Sequence, residues 1–193
     1  MDLKGKRVLV TGGAGFIGSH LAERLLQAGC RVIAYDNFDN FYTGKERNIR
    51  HLLKNERFRL LVADILDYDS LLSVMKGVDV VFHEAAQCGV RYCIQHPWKA
   101  HVVNVTGTLN VLWAAKQAGV KKLVYASSSG IFGHPAYLPM DEKHPTNPNS
   151  PYGVTKLAAE KYCVAFHEVY GLNTVSLRYF SVYGPRGRPD QFI

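Results

Sequence analysis

The sequence predicts an α/β fold in which a doubly wound parallel sheet carries helices on both faces. Six short runs rich in Val, Ile and Leu recur along the 193 residues without strict alternation of apolar and polar positions. Such runs are typical of strands that are buried on both faces. Stretches with apolar residues at helical spacing lie between the runs, and a strand-helix alternation indicates a parallel sheet.

The predicted strands are, in chain order, KRVLVTG, CRVIAYD, FRLLVADI, VDVVFHEA, KKLVYASS and NTVSLRYF. The first strand should end near Thr11, and the first helix should begin between Ala14 and Phe16. Further helices are predicted around Leu71 to Met75, Val102 to Ala115 and Leu157 to Val169. Prolines and turn formers predict an irregular segment over residues 133–153, which we expect to form one wall of a ligand site.

Composition restricts the class of protein. A hydrophobic content of 47% and a charged content of 20% fit one globular domain. Apolar stretches stay well short of the roughly 20 residues that span a bilayer, so we expect a cytoplasmic protein without membrane contact. The four cysteines show neither C-x-x-C pairing nor zinc-ligand spacing, which predicts no disulfide framework and no metal site. The net charge of +7 suits a phosphorylated ligand as well as nucleic acid, and without a nucleic-acid-binding motif we expect no nucleic-acid partner.

Residues 10–21, VTGGAGFIGSHL, place four glycines between the first predicted strand and the first predicted helix. Such a turn brings backbone N–H groups close to a pyrophosphate and aims a helix N-terminus at its charge. Two registers fit these residues. Gly13, Gly15 and Gly18 form G-x-G-x-x-G, whereas Gly12 with Gly15 and Gly18 forms a wider spacing.

The second predicted strand ends in Asp36, at the distance expected for a carboxylate that binds the adenosine ribose. Together with the glycine-rich turn it predicts a Rossmann-type dinucleotide site. Asp36 favours NAD over NADP because a carboxylate repels a 2′-phosphate. The alternative is a tight strand-helix turn followed by an unrelated surface aspartate.

A reactive pair is predicted in SPYGVTK, where Tyr152 and Lys156 share one face of a helix that Pro151 helps to start. An ordinary tyrosine, with a pKa near 10, is a poor base at neutral pH unless a cation favours the phenolate. The segment ASSSG, residues 126–130, follows the fifth run at the edge where α/β sheets hold their ligands.

These motifs are similar to those of a known family. The chain resembles the extended short-chain dehydrogenase/reductases, and within them the nucleotide-sugar epimerases and dehydratases. The resemblance rests on TGGAGFIGSHL, YDNF, ADILD, FHEAAQ, NVTGTLNVL, YASSSGIFG, NPNSPYGVTK and RYFSVYGPRGRPD, which span nearly the whole chain in the family's order. It implies the wider glycine spacing and leaves Gly13 without a role.

The resemblance also implies roles for individual residues. The expected NAD-binding residues are Gly12, Gly15, Phe16, Ile17, Gly18, Asp36, Asn37, Asp64, Ile65, Ala85, Ala86, Gln87, Asn104, Tyr152, Lys156 and Phe180. Tyr152 would be the catalytic base and Lys156 its partner. Ser128 aligns with the catalytic Ser/Thr of the family, and Ser127 and Ser129 are the alternatives.

The expected reaction is epimerisation at C4 of a UDP-sugar through a transient 4-keto sugar. Dehydratases of the family usually carry an acidic residue in a segment such as TDEVYG, where this chain has SSGIFG at 128–133. Without that carboxyl group, elimination would lack its proton donor. Glu84 stands where many family members have an apolar residue, and His83 beside it is expected to be a buried, hydrogen-bonded histidine.

The expected substrate contacts are Arg91, Ser128, Ser129, Tyr152, Ser181 and Arg188. UDP-glucose/UDP-galactose is the first expectation. UDP-glucuronate is the alternative because Ser181 and the segment AAQ-x-G-V-R resemble glucuronate epimerases. Arg91, Arg186 and Arg188 could bind a diphosphate or a carboxylate, or could form a solvated rim.

The domain organisation follows from the same resemblance. Residues 1–180 are expected to form the NAD-binding domain and 181–193 the start of a substrate-binding domain, because family members continue well beyond RGRPDQFI. An NAD-binding module without turnover is therefore the alternative from another functional class. A homodimer through the helices within 98–118 and 151–170 is expected.

Overall fold

A six-stranded parallel sheet forms the centre of the computed structural model, which describes residues 3–187. The strands are β1 (Arg7–Thr11), β2 (Arg31–Asp36), β3 (Phe58–Val62), β4 (Val80–His83), β5 (Lys122–Ser128) and β6 (Thr174–Tyr179). Their order across the sheet is β3-β2-β1-β4-β5-β6, and every neighbouring pair is parallel. This order confirms the predicted doubly wound fold. The order reverses between β1 and β4, which opens a crevice at the carboxyl ends of these strands.

Seven α-helices among the described residues connect the strands. They are α1 (Phe16–Gln27), α2 (Lys45–Ile49), α3 (Tyr68–Met75), α4 (Val90–Gln95), α5 (Pro97–His101), α6 (Gly107–Gln117) and α7 (Pro151–Tyr170). A π-helical turn, Val102–Thr106, joins α5 to α6. The helices α2, α4 and α5 were not predicted from the sequence, because five or six residues are too few to show an apolar period.

The two faces of the sheet bury separate hydrophobic clusters. On β1, Leu9 packs into the cluster that includes residues of α3, α6 and α7, whereas Val8 and Val10 pack into the cluster that includes residues of α1. Successive side chains of a strand point to opposite faces. A strand covered on both sides is therefore apolar at every position, which is the pattern that predicted this sheet.

The helix that carries the predicted reactive pair has a well-defined start and end. The side chain of Ser150 accepts a hydrogen bond from the backbone N–H of Gly153 at 3.1 Å, and Pro151 occupies the first helical position. Gly171 ends α7 in the left-handed conformation, with φ +69°. Residues 133–150 contain neither helix nor strand, as predicted, whereas residues 151–153 of the predicted irregular segment belong to the first turn of α7.

The domain boundary placed at residue 180 stays a prediction. β6 ends one residue earlier, at Tyr179, and residues 188–193 lie outside the described part of the chain. Within residues 3–187, every helix is too short or too polar to cross a bilayer.

Candidate active site

A cleft of about 300 Å³ lies at the carboxyl edge of the sheet, where the strand order reverses. It brings together the glycine-rich turn, the ends of β2, β4, β5 and β6, and the first turns of α7. The predicted site residues that line it are Gly12, Gly15, Phe16, Ile17, Gly18, Asp36, Asn37, Asp64, Ile65, Ala85, Ala86, Gln87, Ser128, Tyr152, Lys156, Phe180 and Ser181. Residues far apart in sequence thus share one cleft.

The glycine-rich turn closes tightly on itself and on the end of β4. Gly12 adopts φ +67°, and a Cβ there would lie 2.8 Å from the backbone nitrogen of Ala85. A Cβ on Gly18 would collide with the carbonyl oxygen of Gly12. Neither position has room for a larger residue, so the backbone of the turn forms the floor of the cleft.

Gly13 also has a packing role. A Cβ on Gly13 would lie 2.6 Å from the Cβ of Ala34 on β2 and 2.9 Å from the carbonyl oxygen of Val10. The resemblance assigned this glycine no role, and that expectation is wrong. The turn needs Gly13 for close contact with the sheet, whereas Gly12 and Gly18 keep the turn itself closed.

Asp36 ties the end of β2 to the turn. Its Oδ2 accepts a hydrogen bond from the backbone N–H of Ala14 at 3.1 Å, and its Oδ1 accepts one from that of Phe38 at 2.9 Å. Lys45 places its ammonium 3.4 Å from Oδ1. Lys45 was not predicted from the sequence, because α2, which carries it, shows no apolar period.

This end of the cleft fits the adenosine diphosphate half of a dinucleotide. A Cβ on Gly15 would lie only 3.1 Å from the carbonyl oxygen of Gly12, so the entry to α1 is kept open by the absence of a side chain. The first N–H groups of a helix attract a diphosphate, and the Asp36 carboxylate suits ribose hydroxyl groups. Asp64 and Asn37 complete this end, with an amide-carboxylate hydrogen bond of 2.8 Å.

Asn104 lies behind the wall of the cleft and does not line it. Its Oδ1 accepts a hydrogen bond from the backbone N–H of Gln87 at 2.7 Å, and its Nδ2 donates to the Gln87 carbonyl at 3.0 Å. Nδ2 also donates to the Thr155 hydroxyl on α7 at 3.0 Å. The structure therefore makes Asn104 a clamp between the loop after β4 and the helix of the reactive pair.

The three serines after β5 differ in position. The hydroxyl of Ser127 donates a hydrogen bond to the Glu160 carboxylate of α7 at 2.6 Å, so its proton is not available to a ligand. Ser128 lines the cleft, and its Oγ accepts a hydrogen bond from the backbone N–H of Gly130 at 3.1 Å, so its own proton remains available for donation. Ser129 does not line the cleft. The geometry therefore supports Ser128 over the other two.

Tyr152 and Lys156 enter the cleft from the first turns of α7. A Cβ on Gly153 would collide with the Gly130 carbonyl oxygen, so this glycine lets α7 approach the serine segment closely. The Lys156 side chain is buried, and its ammonium lies 4.4 Å from the ring centroid of Tyr125. Burial lowers the pKa of Lys156 to about 8, against the opposing effect of Glu84. Lys156 therefore keeps a positive charge near pH 7, one helical turn from Tyr152.

Glu84 places a carboxyl group in the cleft that the sequence analysis did not include in the site. The residue follows β4 directly, and the hydroxyl of Tyr179 donates to its Oε1 at 3.4 Å. Burial raises the pKa of Glu84 to about 7, although Lys156 and Tyr179 act to lower it. The cleft therefore contains a carboxyl group, so the lack of an acidic residue in SSGIFG does not exclude elimination. A single polar residue at the end of an apolar strand was the only signal in the sequence.

The neighbouring His83 is hydrogen-bonded on both ring nitrogens, as expected of a buried structural histidine. It pairs with Thr11 at 2.7 Å and with Thr108 at 2.9 Å. Burial lowers its pKa to about 3, with Lys156 acting in the same direction, so the ring stays neutral.

A partly buried ion pair lies behind the serine segment. Arg178 on β6 contacts the Glu160 carboxylate through Nη2 at 2.8 Å and through Nε at 3.2 Å. Its Nη1 donates to the Glu142 carbonyl at 3.0 Å. The same carboxylate accepts the hydrogen bond from Ser127. This network joins β5, β6, α7 and the irregular segment at the back of the site.

Of the arginines expected at the substrate, Arg91 and Arg186 do not line the cleft. Arg91 is exposed on α4 and does not line the cleft. Arg186 forms an ion pair with Glu23 of α1 at 2.8 Å. Arg188 lies outside the described residues. Within residues 3–187, His, Cys, Asp and Glu side chains form no group of three or more that could hold a metal ion.

Comparison with known proteins identifies the family to which the chain is similar. A family profile described as "NAD dependent epimerase/dehydratase family" matches residues 8–193. The chain is 40% identical, over 95% of its length, to the UDP-glucose 4-epimerase of Mycolicibacterium smegmatis. It is similar to the structure of a UDP-glucuronic acid 4-epimerase from Bacillus cereus, with a TM-score of 0.88, 39% identity and 96% of the chain covered. A dTDP-glucose 4,6-dehydratase from Streptomyces venezuelae gives a TM-score of 0.92, 34% identity and 97% coverage.

The chain spans 58% of the length of the first of these proteins, 60% of the second and 59% of the third. The cleft therefore corresponds to part of each larger protein. The match over almost all of the chain, together with the fold and the grouping of Tyr152, Lys156 and Ser128 beside the glycine-rich turn, leads to one conclusion. The chain belongs to the NAD dependent epimerase/dehydratase family.

Proposed function

We propose that this protein is an NAD-dependent UDP-sugar 4-epimerase. The observation that carries the proposal is the single cleft that joins a dinucleotide turn to Tyr152, Lys156 and Ser128. Relatives named UDP-glucose 4-epimerase and UDP-glucuronate 4-epimerase support the same reaction. The structure of the Bacillus cereus relative in complex with UDP-glucuronic acid and NAD supports both the cofactor and the class of substrate.

Bound NAD supplies an acceptor for hydride, which it later returns to the sugar. Tyr152, as the phenolate that the charge of Lys156 stabilises, removes the proton from the 4-hydroxyl group of the sugar and becomes a neutral tyrosine. Ser128 donates its free proton to the same sugar oxygen and holds it in place. Rotation of the 4-keto sugar before the hydride returns inverts C4. Asn104 connects the loop after β4 to α7, and Glu160 connects the end of β5 to α7.

UDP-glucose and UDP-galactose are the proposed substrate pair, with UDP-glucuronate as the second candidate. Among the described residues that line the cleft, the cationic ones are Lys45, which pairs with Asp36, and Lys156. Neither of them distinguishes a neutral sugar from a glucuronate. Parallel assays with both sugars distinguish the candidates. Faster turnover of UDP-glucuronate would assign the protein to the glucuronate epimerases.

The proposal is tested by following conversion of UDP-galactose to UDP-glucose by the wild type and Tyr152→Phe. Tyr162→Phe is a matched control, because Tyr162 lies on the same helix and does not line the cleft. We expect turnover in the wild type and in the control, and only background in Tyr152→Phe. Equal background rates in all three proteins, with NAD still bound, would instead favour the NAD-binding module without turnover.

A homodimer through α7 is part of the same proposal. Val154, Tyr162 and Val169 form an exposed apolar stripe along this helix, and Trp98 on the adjacent α5 is 81% exposed. A stripe of this kind suits a self-complementary helix pair. Sedimentation that shows a dimer in the wild type and a monomer in Val154→Glu would support it, and a monomeric wild type would contradict it.

We also propose a cytoplasmic location. Cys30, Cys93 and Cys163 are buried. Burial raises the pKa of Cys163 to about 12, which keeps its thiol protonated. Thiols that serve packing suit a reducing compartment.

A further inference from the structure

Glu84 has no part in the proton transfers proposed above, yet it contributes a carboxyl group to the reactive half of the cleft. Asp36 and Asp64 lie at the ends of β2 and β3, at the adenosine end. Glu84 follows β4, where the sheet passes from the glycine-rich turn to the serine segment. The reacting ring of a dinucleotide must meet the base that acts on the substrate, so it lies at this second end, with Tyr152.

The charges at this end are few. Lys156 contributes an ammonium from α7, and Glu84 interacts electrostatically with it. Tyr179, from β6, donates its hydroxyl to Glu84. His83, the neighbour of Glu84, stays neutral. The net charge of the reactive end therefore changes by one unit when Glu84 loses its proton.

The oxidised and reduced forms of a nicotinamide cofactor differ in charge at the ring. The oxidised ring is a cation, and the reduced ring is neutral. The Lys156 ammonium alone would disfavour the cationic ring, whereas a carboxylate beside it compensates that charge. We propose that Glu84 makes this site hold NAD⁺ in preference to NADH. The inference rests on the proposed NAD-dependent function and assigns Glu84 the control of cofactor oxidation state at that site.

A preference for NAD⁺ suits a reaction that ends each cycle with the cofactor oxidised. It also predicts a pH dependence. Burial raises the pKa of Glu84 to about 7, so the carboxylate fraction increases from about pH 6 to about pH 8. The preference for NAD⁺ should increase over the same range. Lys156 remains largely protonated over most of it, with a pKa of about 8.

Calorimetric titration of NAD⁺ and of NADH tests the inference without an activity assay. Glu84→Gln preserves size and hydrogen bonding and removes the charge. Glu168→Gln is the matched control, because Glu168 is exposed near the end of α7 and does not line the cleft. At pH 8 we expect the ratio of NAD⁺ affinity to NADH affinity to fall about tenfold in Glu84→Gln, the effect of one charge acting over several ångströms at an effective dielectric constant of about 20.

The pH dependence separates an electrostatic role from a structural one. The ratio should increase with pH in the wild type and in Glu168→Gln. In Glu84→Gln it should increase much less, and only toward pH 8, where Lys156 begins to lose its proton. Tyr179→Phe removes the donor that lowers the pKa of Glu84, so its transition should move to higher pH. An unchanged ratio in Glu84→Gln, with both dinucleotides still bound, would overturn this inference alone. Failure of the wild type to bind either dinucleotide would overturn the proposed function and this inference together.

Discussion

Replacing Lys156 by Met should make the protein more stable while it removes a site residue. The Lys156 side chain is 2% exposed, and burial lowers its pKa from 10.5 to about 8. This shift corresponds to a cost of about 3 kcal/mol for carrying the charge in the folded protein at neutral pH. The contact between its ammonium and the Tyr125 ring, at 4.4 Å, offsets about 1 kcal/mol of that cost.

Methionine has nearly the same length and shape and carries no charge. We therefore expect Lys156→Met to increase the free energy of unfolding by about 2 kcal/mol at pH 7, and the melting temperature by about 5 °C for a chain of this size. Urea unfolding and calorimetry measure the two quantities. Lys161→Met, an exposed lysine on the same helix, is the matched control and should leave both nearly unchanged.

The pH dependence of this difference follows from the direction of the pKa shift. Below pH 8 the lysine is protonated in both the folded and the unfolded chain, so the folded chain carries the full cost. Between pH 8 and 10.5 the unfolded chain binds more protons, and the wild type gains stability as pH increases. The advantage of Lys156→Met should therefore decrease across this range. A variant less stable than the wild type at pH 7, with Lys161→Met unaffected, would refute the reasoning.

Three further predictions concern other parts of the site. Gly13→Ala should lower the free energy of unfolding in urea by about 1–3 kcal/mol because its Cβ meets Ala34, and adding Ala34→Gly should restore part of the loss; additive effects of the two changes would contradict the contact. Asp36→Asn should reduce the preference for NAD⁺ over NADP⁺ by about tenfold in calorimetry, because one charge beside the ribose is lost, whereas equal affinities in the wild type would exclude this role. Glu160→Gln should cost about 2 kcal/mol in urea unfolding, because it leaves the partly buried Arg178 without its counter-charge; an unchanged midpoint would show that the pair contributes nothing.

The fold was largely predictable from the sequence because its signals are local. The apolar runs identify the strands, and helical spacing identifies α1, α3, α6 and α7. The glycine-rich turn and Asp36 lie in one continuous strand-turn-helix-strand unit, so their spacing along the chain already indicates their proximity. The short helices α2, α4 and α5 show no periodic pattern, and Lys45 was missed with them.

The candidate site was predictable only where a motif marks it. Tyr152 and Lys156 are one helical turn apart, so their shared face follows from the period of the helix. Asn104 was expected in the cleft and lies behind it, because the direction of its side chain depends on the π-helical turn and on packing against Thr155. Glu84 belongs to no motif and to no periodic pattern in the sequence. Its electrostatic environment depends on Lys156 and Tyr179, which lie 72 and 95 residues further along the chain.

By itself, the sequence determined the strand-helix alternation, the dinucleotide turn and the reactive pair, since each arises from contacts between residues close in the chain. The tertiary structure alone decided the charges and hydrogen bonds of the cleft. Ser127 commits its proton to Glu160, Arg186 pairs with Glu23, and Lys156 loses water and part of its basicity. These properties depend on the removal of water and on partners that only folding brings within a few ångströms. The spacing of residues along the sequence carries no information on either.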